Sequence, residues 1–122
     1  MTGAPPHRAD HEWAMEERSD GEAVLLAIRG VVDMAAAPAL ADRVGTILRR
    51  RPPVLVLDLT GVTFLATAGM SIIMEADRRC RDTSAACRVV ASGAVTLRPM
   101  QLLGIADLLE LYPTVAAAVQ AQ

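Results

Sequence analysis

The sequence has no lysine, very few aromatic residues and only two cysteines. Twelve arginines stand against fourteen Asp and Glu residues, and a net charge of -2 lacks the basic footprint that nucleic-acid-binding domains carry. One Trp, one Tyr and one Phe are too few for a base-stacking platform or an aromatic cage. The two cysteines are too few for a secreted disulfide scaffold. We therefore expect a protein that does not bind nucleic acid.

Membrane and export signals are also missing from the sequence. No window reaches the roughly 18 consecutive apolar residues of a membrane helix, and the N-terminal residues lack the apolar core of a signal peptide. These absences predict a cytoplasmic protein with no membrane partner. Residues 1–11 contain two Pro, two His and little apolar matter, which predicts a flexible tail. With 52% hydrophobic content in the whole chain, residues 12–122 are long enough for one packed domain.

The residue types that catalysis needs are mostly absent from the predicted domain. Both histidines, His7 and His11, lie in the predicted tail, so a folded Ser/His or Cys/His pair would have no base. Metal binding by these histidines is not expected, because Gly3, Pro5 and Pro6 disfavour a helix there. Neither G-x-x-x-x-G-K nor G-x-G-x-x-G occurs, so no phosphate-binding loop is recognisable. We predict a protein that is not an enzyme and that uses no metal or cofactor.

Buried strands alternate with amphipathic helices along the chain. Apolar runs with no polar alternation are typical of strands covered on both faces, whereas apolar residues at helical spacing predict helices packed on a sheet. This order predicts an α/β fold, a mixed sheet of four to five strands packed with about four helices, the first strand pair antiparallel and the later crossovers parallel. The predicted strands are 12–16, 23–28, 54–59, 88–91 and 108–111, and the predicted helices are 36–51, one from about Thr67, 96–104 and one after Pro113.

Residues 57–70 form the most informative segment: a buried strand, a Thr-Gly-Val turn and then small residues at a helix start. Asp58 is expected to cap the turn, and Phe64 with Leu65 to anchor the segment. Thr67 admits two interpretations. Its hydroxyl can cap the helix, or it can accept a phosphate that adds about -1.5 to -2 charge to a surface of Ala, Gly and Met.

Three stretches of the sequence resemble the STAS domain of bacterial anti-sigma factor antagonists. Residues 30–40, beginning Gly30-Val31-Val32-Asp33, are similar to the family's G-x-L-D and the helix after it. Residues 58–69 resemble its D-L-S-G-V-x-F-[LM]-D-S-[ST]-G signature, and residues 102–109 resemble its L-x-x-x-G-L-x-x-L. The resemblance covers roughly residues 12–121 and implies that this domain has the STAS fold.

The resemblance also implies a partner and a switch. The partner would be an anti-sigma factor that is a serine/threonine kinase of the histidine-kinase-like ATPase fold, and ATP and Mg²⁺ would belong to it. The unphosphorylated protein would bind this kinase and free the sigma factor. Phosphorylation at Thr67 would break the complex, and a separate phosphatase would reset it.

The sequence departs from the family pattern at the switch itself, and it leaves several regulatory possibilities open. The family's D-S-[ST]-G is Ala66-Thr67-Ala68-Gly69 here, so the acidic residue and the second hydroxyl are replaced by alanine. Besides the phosphorylation switch, the chain could be permanently active, could be controlled in another way such as through its cysteines, or could serve a different partner.

An exposed ridge around the motif is expected to contact the partner. Methionines at i, i+4 spacing suit an adaptable contact surface, although they are also common in cores. Cys80 and Cys87 are expected either to stay reduced or to form a redox-sensing pair, which needs Cα atoms within about 7 Å of each other. The predicted contact residues are Asp33, Thr63, Ala66, Thr67, Ala68, Gly69, Met70 and Met74.

Two other functions stay open from the sequence. Small STAS subunits also contact the ATPases of ABC-type lipid transporters, through a Thr at this same helix start, and transporter genes beside this one would indicate that use. A domain of this fold could instead sense a small molecule or nucleotide. A ligand-induced thermal shift without any protein partner would indicate that function.

Overall fold

The computed structural model describes residues 12–121, so the predicted tail at residues 1–11, with His7 and His11, lies outside the described residues. Within the described range, strands and helices alternate as the sequence predicts. A 3-10 turn, Ala106–Leu108, lies between the third helix and the last strand. The elements are β1 Trp13–Asp20, β2 Ala23–Val32, α1 Ala37–Arg49, β3 Val54–Leu65, α2 Thr67–Asp82, β4 Ala86–Val90, α3 Leu97–Leu102, β5 Glu110–Tyr112 and α4 Val115–Gln120.

The strands form one mixed sheet in the order β1-β2-β3-β4-β5. β1 pairs with β2 antiparallel, and the three following pairs are parallel. This confirms the predicted fold class and the predicted strand directions. Because β2, β3 and β4 run the same way, their carboxyl ends meet at one edge of the sheet, where α1, α2 and α3 are connected to them. That edge carries the segment with Thr67.

Helices cover both faces of the sheet, which explains the apolar runs in β2 and β3. α1, α2 and α3 pack on one face and enclose the larger core, whereas α4 covers part of the other face. Side chains alternate between the two cores along each strand. The larger core includes Leu26, Ile28, Leu55, Leu57, Leu59, Leu40, Val44, Ile47, Ile73 and Ala76, and the smaller one includes Ala23, Leu25, Val56, Val90 and Ala118.

β3 is longer than the sequence indicates, because the predicted Thr-Gly-Val turn is not a turn. The strand continues to Leu65 and contains two register shifts against β2. In the first, two residues of β3 oppose Ile28, and the Asp58 carboxylate accepts a hydrogen bond from the Thr60 N–H at 3.0 Å. In the second, Thr63 is the extra residue. The predicted cap by Asp58 is therefore present, but it stabilises a bulge inside a strand.

α4 is held against the sheet by a buried arginine. Arg88 on β4 donates from its guanidinium to the carbonyl oxygen of Ala118 in α4 at 2.9 Å. The carboxylate of Glu110 lies 3.7 Å from its Nε atom. A buried guanidinium needs such partners, because desolvating an unpaired charge is costly. No helix of the described residues is long and apolar enough to cross a membrane.

Candidate partner-binding site

The candidate site lies at the carboxyl ends of β2 and β3, where α1 and α2 begin. The Ala66 N–H donates to the carbonyl oxygen of Val32 at 2.9 Å and ties the start of α2 to the end of β2. Gly69 allows α2 to approach the sheet closely, since a Cβ there would lie 2.7 Å from Val32 Cγ1 and 2.9 Å from Leu65 Cδ1. The small residues of this motif therefore position the helix start on the strand ends.

Thr67 is the first residue of α2 and is exposed. The N-cap is Ala66, in extended conformation, and its side chain caps nothing. The interpretation of Thr67 as an N-cap is therefore wrong, because the cap position lies one residue earlier. The first turn of α2 also contains no acidic residue. The N–H groups of the first turn lack intrahelical acceptors, and the positive end of the helix dipole favours negative charge there.

Two large apolar side chains are exposed beside Thr67. Phe64 is 53% exposed and Met34, in the loop after β2, is 79% exposed. The prediction that Phe64 anchors the segment in the core is wrong, whereas Leu65 is buried as predicted. The extra residue at Thr63 explains this, since a one-residue shift in a strand sends each following side chain to the opposite face. We call Met34, Thr63, Phe64, Ala66 and Thr67 together the Thr67 surface.

Two of the predicted contact residues are not accessible. Met70 is only 5% exposed and belongs to the larger core, and Gly69 is buried against β2 and β3. The expectation that they lie on an exposed ridge is wrong. Met74 is half-buried. Met70, Ile73, Ala76 and Cys80 lie on the buried face of α2.

The other predicted contact residues lie at the surface or close to it. Thr63 is exposed, and Ala66, Ala68 and Asp33 are half-buried. One carboxylate oxygen of Asp33 accepts hydrogen bonds from the N–H groups of Ala35 at 3.0 Å and Ala36 at 3.1 Å, so its observed contacts shape the start of α1. Met34 was not among the predicted contact residues, although a large apolar residue just after the G-x-x-D motif, in a short loop at a strand end, is the signal that could have found it.

Cys80 on α2 and Cys87 on β4 are free thiols, and both are buried in the larger core. The Cys80 thiol, as a hydrogen-bond partner, and burial raise the pKa of Cys87, whereas the same partner relation lowers the pKa of Cys80. A protonated thiol such as that of Cys87 is a poor nucleophile, and both thiols are buried. A redox-sensing pair stays a prediction. Within residues 12–121 no group of three or more His, Cys, Asp or Glu side chains could hold a metal ion.

Comparison with known proteins agrees with this geometry. Residues 13–118 match the family model described as the STAS domain. The anti-sigma-F factor antagonist RsfB of Mycobacterium tuberculosis is 35% identical over 95 residues, which cover 78% of this chain and 77% of RsfB. The crystal structure of an anti-sigma factor antagonist from Mycobacterium paratuberculosis has a TM-score of 0.85 and 31% identity, and the match covers 91% and 94% of the two chains.

A more distant likeness shows the fold alone. The Bacillus cell fate determinant SpoIIAA, in its phosphorylated form, has a TM-score of 0.68 at 13% identity, with 87% and 96% of the two chains covered. The match of the family model over most of the chain, together with the identity to RsfB, is sufficient to assign the family. This chain belongs to the STAS domain family.

Proposed function

We propose that this chain is an anti-sigma factor antagonist, which binds an anti-sigma factor through the Thr67 surface and so releases a sigma factor. Two relatives that are 35% and 31% identical carry this functional name. The single observation that supports the proposal best is the exposed Thr67 at a helix start without a side-chain cap, flanked by exposed Met34 and Phe64. Such a surface suits binding of a protein face rather than catalysis.

Apolar contacts supply the affinity in this proposal. Phe64 and Met34 are both exposed near the ends of β3 and β2, and exposed apolar patches often mark protein interaction sites. The ends of β2 and β3 and the start of α2 form a rigid support, since the Ala66 N–H and the Gly69 contact hold them together. A rigid surface loses little conformational entropy when it binds.

Phosphorylation of Thr67 is the proposed off-switch, and the anti-sigma factor is the proposed kinase. The γ-phosphorus of ATP forms a bond to Thr67 Oγ1 as its bond to ADP breaks, and the hydroxyl proton passes to a base of the kinase. The phosphate adds about -1.5 to -2 charge. The positive end of α2 tolerates this charge, but an apolar partner face packed on Phe64 does not. A phosphatase would hydrolyse the ester and restore binding.

The test is calorimetry with a purified anti-sigma factor from the same organism. We expect Thr67→Glu to weaken binding on the order of 100-fold, because an unpaired charge buried at an interface costs about 3 kcal/mol or more. Thr46→Glu is the matched control, since Thr46 is also an exposed threonine on a helix but lies on α1, outside the Thr67 surface. This control is expected to bind as the wild type does.

Mass spectrometry gives the second half of the test. After incubation with the anti-sigma factor and ATP, we expect one phosphate on Thr67 in the wild type and none in Thr67→Ala. Equal binding by wild type and Thr67→Glu, with no phosphate on Thr67, would exclude the switch. Complete absence of binding by the wild type would exclude the antagonist function itself.

A further inference from the structure

A second feature adjoins the Thr67 surface. A groove of about 660 Å³ lies where the start of β1 pairs with the later part of β2, and it is lined in part by Trp13, Arg29, Gly30 and Thr63. Thr63 belongs to both the groove and the Thr67 surface. The two features are therefore continuous on the protein surface.

The backbone itself forms part of this groove. Gly30 has a φ of +89°, and a Cβ at this position would overlap the carbonyl oxygen of Glu12. That same carbonyl accepts a hydrogen bond from the Val31 N–H at 3.1 Å. Only glycine adopts this conformation without strain and permits so close an approach of two chain segments. Gly30 therefore brings the backbone of β1 against β2, and it lines the groove together with the half-buried Trp13.

Arg29 supplies an available positive charge to the groove. Its aliphatic stem lies over Gly61, where an added Cβ would be 2.8 Å from Arg29 Cγ. Its guanidinium is 4.0 Å from the Glu16 carboxylate, and the two side chains are 58% and 62% exposed. An ion pair so long and so exposed contributes almost nothing. The guanidinium can therefore exchange Glu16 for a carboxylate of a partner at little cost.

We propose that this groove binds a segment of the anti-sigma factor, with an acidic side chain at Arg29 and an apolar side chain against Trp13. This inference rests on the function proposed above. Glu12 also lines the groove and would repel a second acidic residue, which favours a segment with a single acid. The groove is open, whereas small-molecule sites enclose most of their ligand. Trp and Arg are also the residues that most often dominate protein interfaces.

The dimensions are consistent with one continuous interface. Thr67 lies four positions after Thr63, a span of at most about 14 Å in extended chain. Each side of a standard interface buries about 800 Å², which corresponds to a radius of about 16 Å. A partner centred on the Thr67 surface therefore reaches the groove without any change in the shape of this domain.

The chain contains a single tryptophan, and this makes the test direct. Protein labelled with 5-fluorotryptophan gives one fluorine resonance, from Trp13, without any mutation. We expect that resonance to shift when unlabelled anti-sigma factor is added. We also expect Arg29→Glu to weaken binding roughly tenfold in calorimetry, as interface arginines often do. Arg18→Glu is the matched control, because Arg18 is exposed on the edge strand β1, at the end of that strand away from Trp13 and the groove.

The two proposals fail in different ways. If the anti-sigma factor binds but the Trp13 resonance does not move and Arg29→Glu binds like Arg18→Glu, the groove is not part of the interface. If the resonance moves with inorganic phosphate or benzoate but not with the anti-sigma factor, the groove is a small-anion site and this proposal is overturned. If the wild type binds no anti-sigma factor, both proposals are wrong.

Discussion

The helices α2, α3 and α4 all begin at or beside a threonine, and the threonines of α4 and α2 have different roles. In α4, Thr114 is the N-cap, and its hydroxyl accepts a hydrogen bond from the Ala117 N–H at 3.1 Å. In α2 the N-cap is Ala66, and Thr67 is the first helical residue. The two threonines differ by one position relative to the helix start. The Thr114 hydroxyl therefore accepts a hydrogen bond from its own helix, whereas Thr67 is exposed to solvent.

The comparison teaches how a helix start can be kept open for a partner. α4 obtains its stability from the Thr114 cap and from Arg88, which bonds the carbonyl of Ala118. α2 lacks a side-chain cap and is held by close packing at Gly69 and by its long apolar face. Because packing carries the stability of α2, its exposed first turn is free to change charge without unfolding the domain.

The largest effect is expected at Gly69. Gly69→Ala places a methyl group against Val32 and Leu65, and we expect a loss of about 1–3 kcal/mol in the free energy of unfolding, measured in urea. Gly45→Ala is the matched control, since its new Cβ would lie 3.6 Å from the nearest atom, the end of the flexible Arg79 side chain. That change should stabilise α1 by up to about 1 kcal/mol through helix propensity. Equal effects of the two changes would show that packing does not hold α2.

A smaller effect is expected from the cap of α4. Thr114→Ala removes the acceptor of the Ala117 N–H, and we expect the free energy of unfolding to fall by about 1 kcal/mol. Thr114→Ser keeps the hydroxyl and should recover most of this loss. A Thr114→Ala protein as stable as the wild type would mean that the cap contributes nothing in solution.

Thr67 should be nearly neutral for stability. We expect Thr67→Ala to change the free energy of unfolding by no more than about 0.5 kcal/mol, because the exposed residue does not occupy the cap position. Thr67→Glu should gain about 0.3–1 kcal/mol at low salt, since a carboxylate suits the positive end of α2, and added salt should reduce the gain. A loss in Thr67→Ala as large as that in Thr114→Ala would show that both hydroxyls act as caps.

The smallest effect concerns pH at the strand that precedes α4. The Tyr112 hydroxyl donates to a Glu110 carboxylate oxygen at 2.8 Å, and this hydrogen bond raises the pKa of Tyr112. In the unfolded chain a tyrosine side chain has a pKa of about 10. The hydrogen bond between Tyr112 and Glu110 therefore stabilises the folded protein fully below about pH 10. This stabilisation is lost as the pH rises through the higher pKa that Tyr112 has in the folded state. Absorbance titration of this single tyrosine should show a midpoint above that of the urea-unfolded chain, and Glu110→Ala, which removes both the acceptor and the charge, should remove most of the difference.

Much of the fold could be predicted because its signals are local. Apolar runs located β2 and β3, and helical spacing located α1 from Leu40 to Leu48. The predicted ends of the later helices and strands were less accurate. A strand predicted at residues 108–111 begins at Glu110, because the preceding residues form a 3-10 turn. Short elements carry too few residues for their period to define their ends.

The candidate site could also be predicted only in part. The motif located Thr67 at the start of a helix, and the structure places it there, exposed. The contact residues around it were predicted less well, since Gly69 and Met70 are buried and Met34 was missed. Which face of a helix is covered depends on where the sheet lies beneath it. That position is set by contacts between segments distant in sequence.

The sequence by itself determined the order of the elements, the two-sided burial of the central strands and the threonine at the start of α2, because each depends on neighbouring residues only. The tertiary structure alone decided that Phe64 faces solvent and that Trp13 and Arg29 share a groove with Thr63. The first outcome follows from the register of β3 against β2, where the extra residue at Thr63 reverses the side-chain alternation. The second also depends on the register of β1 against β2, which pairs Trp13 with Gly30. Register is a relation between two strands, and the sequence of one strand does not contain it.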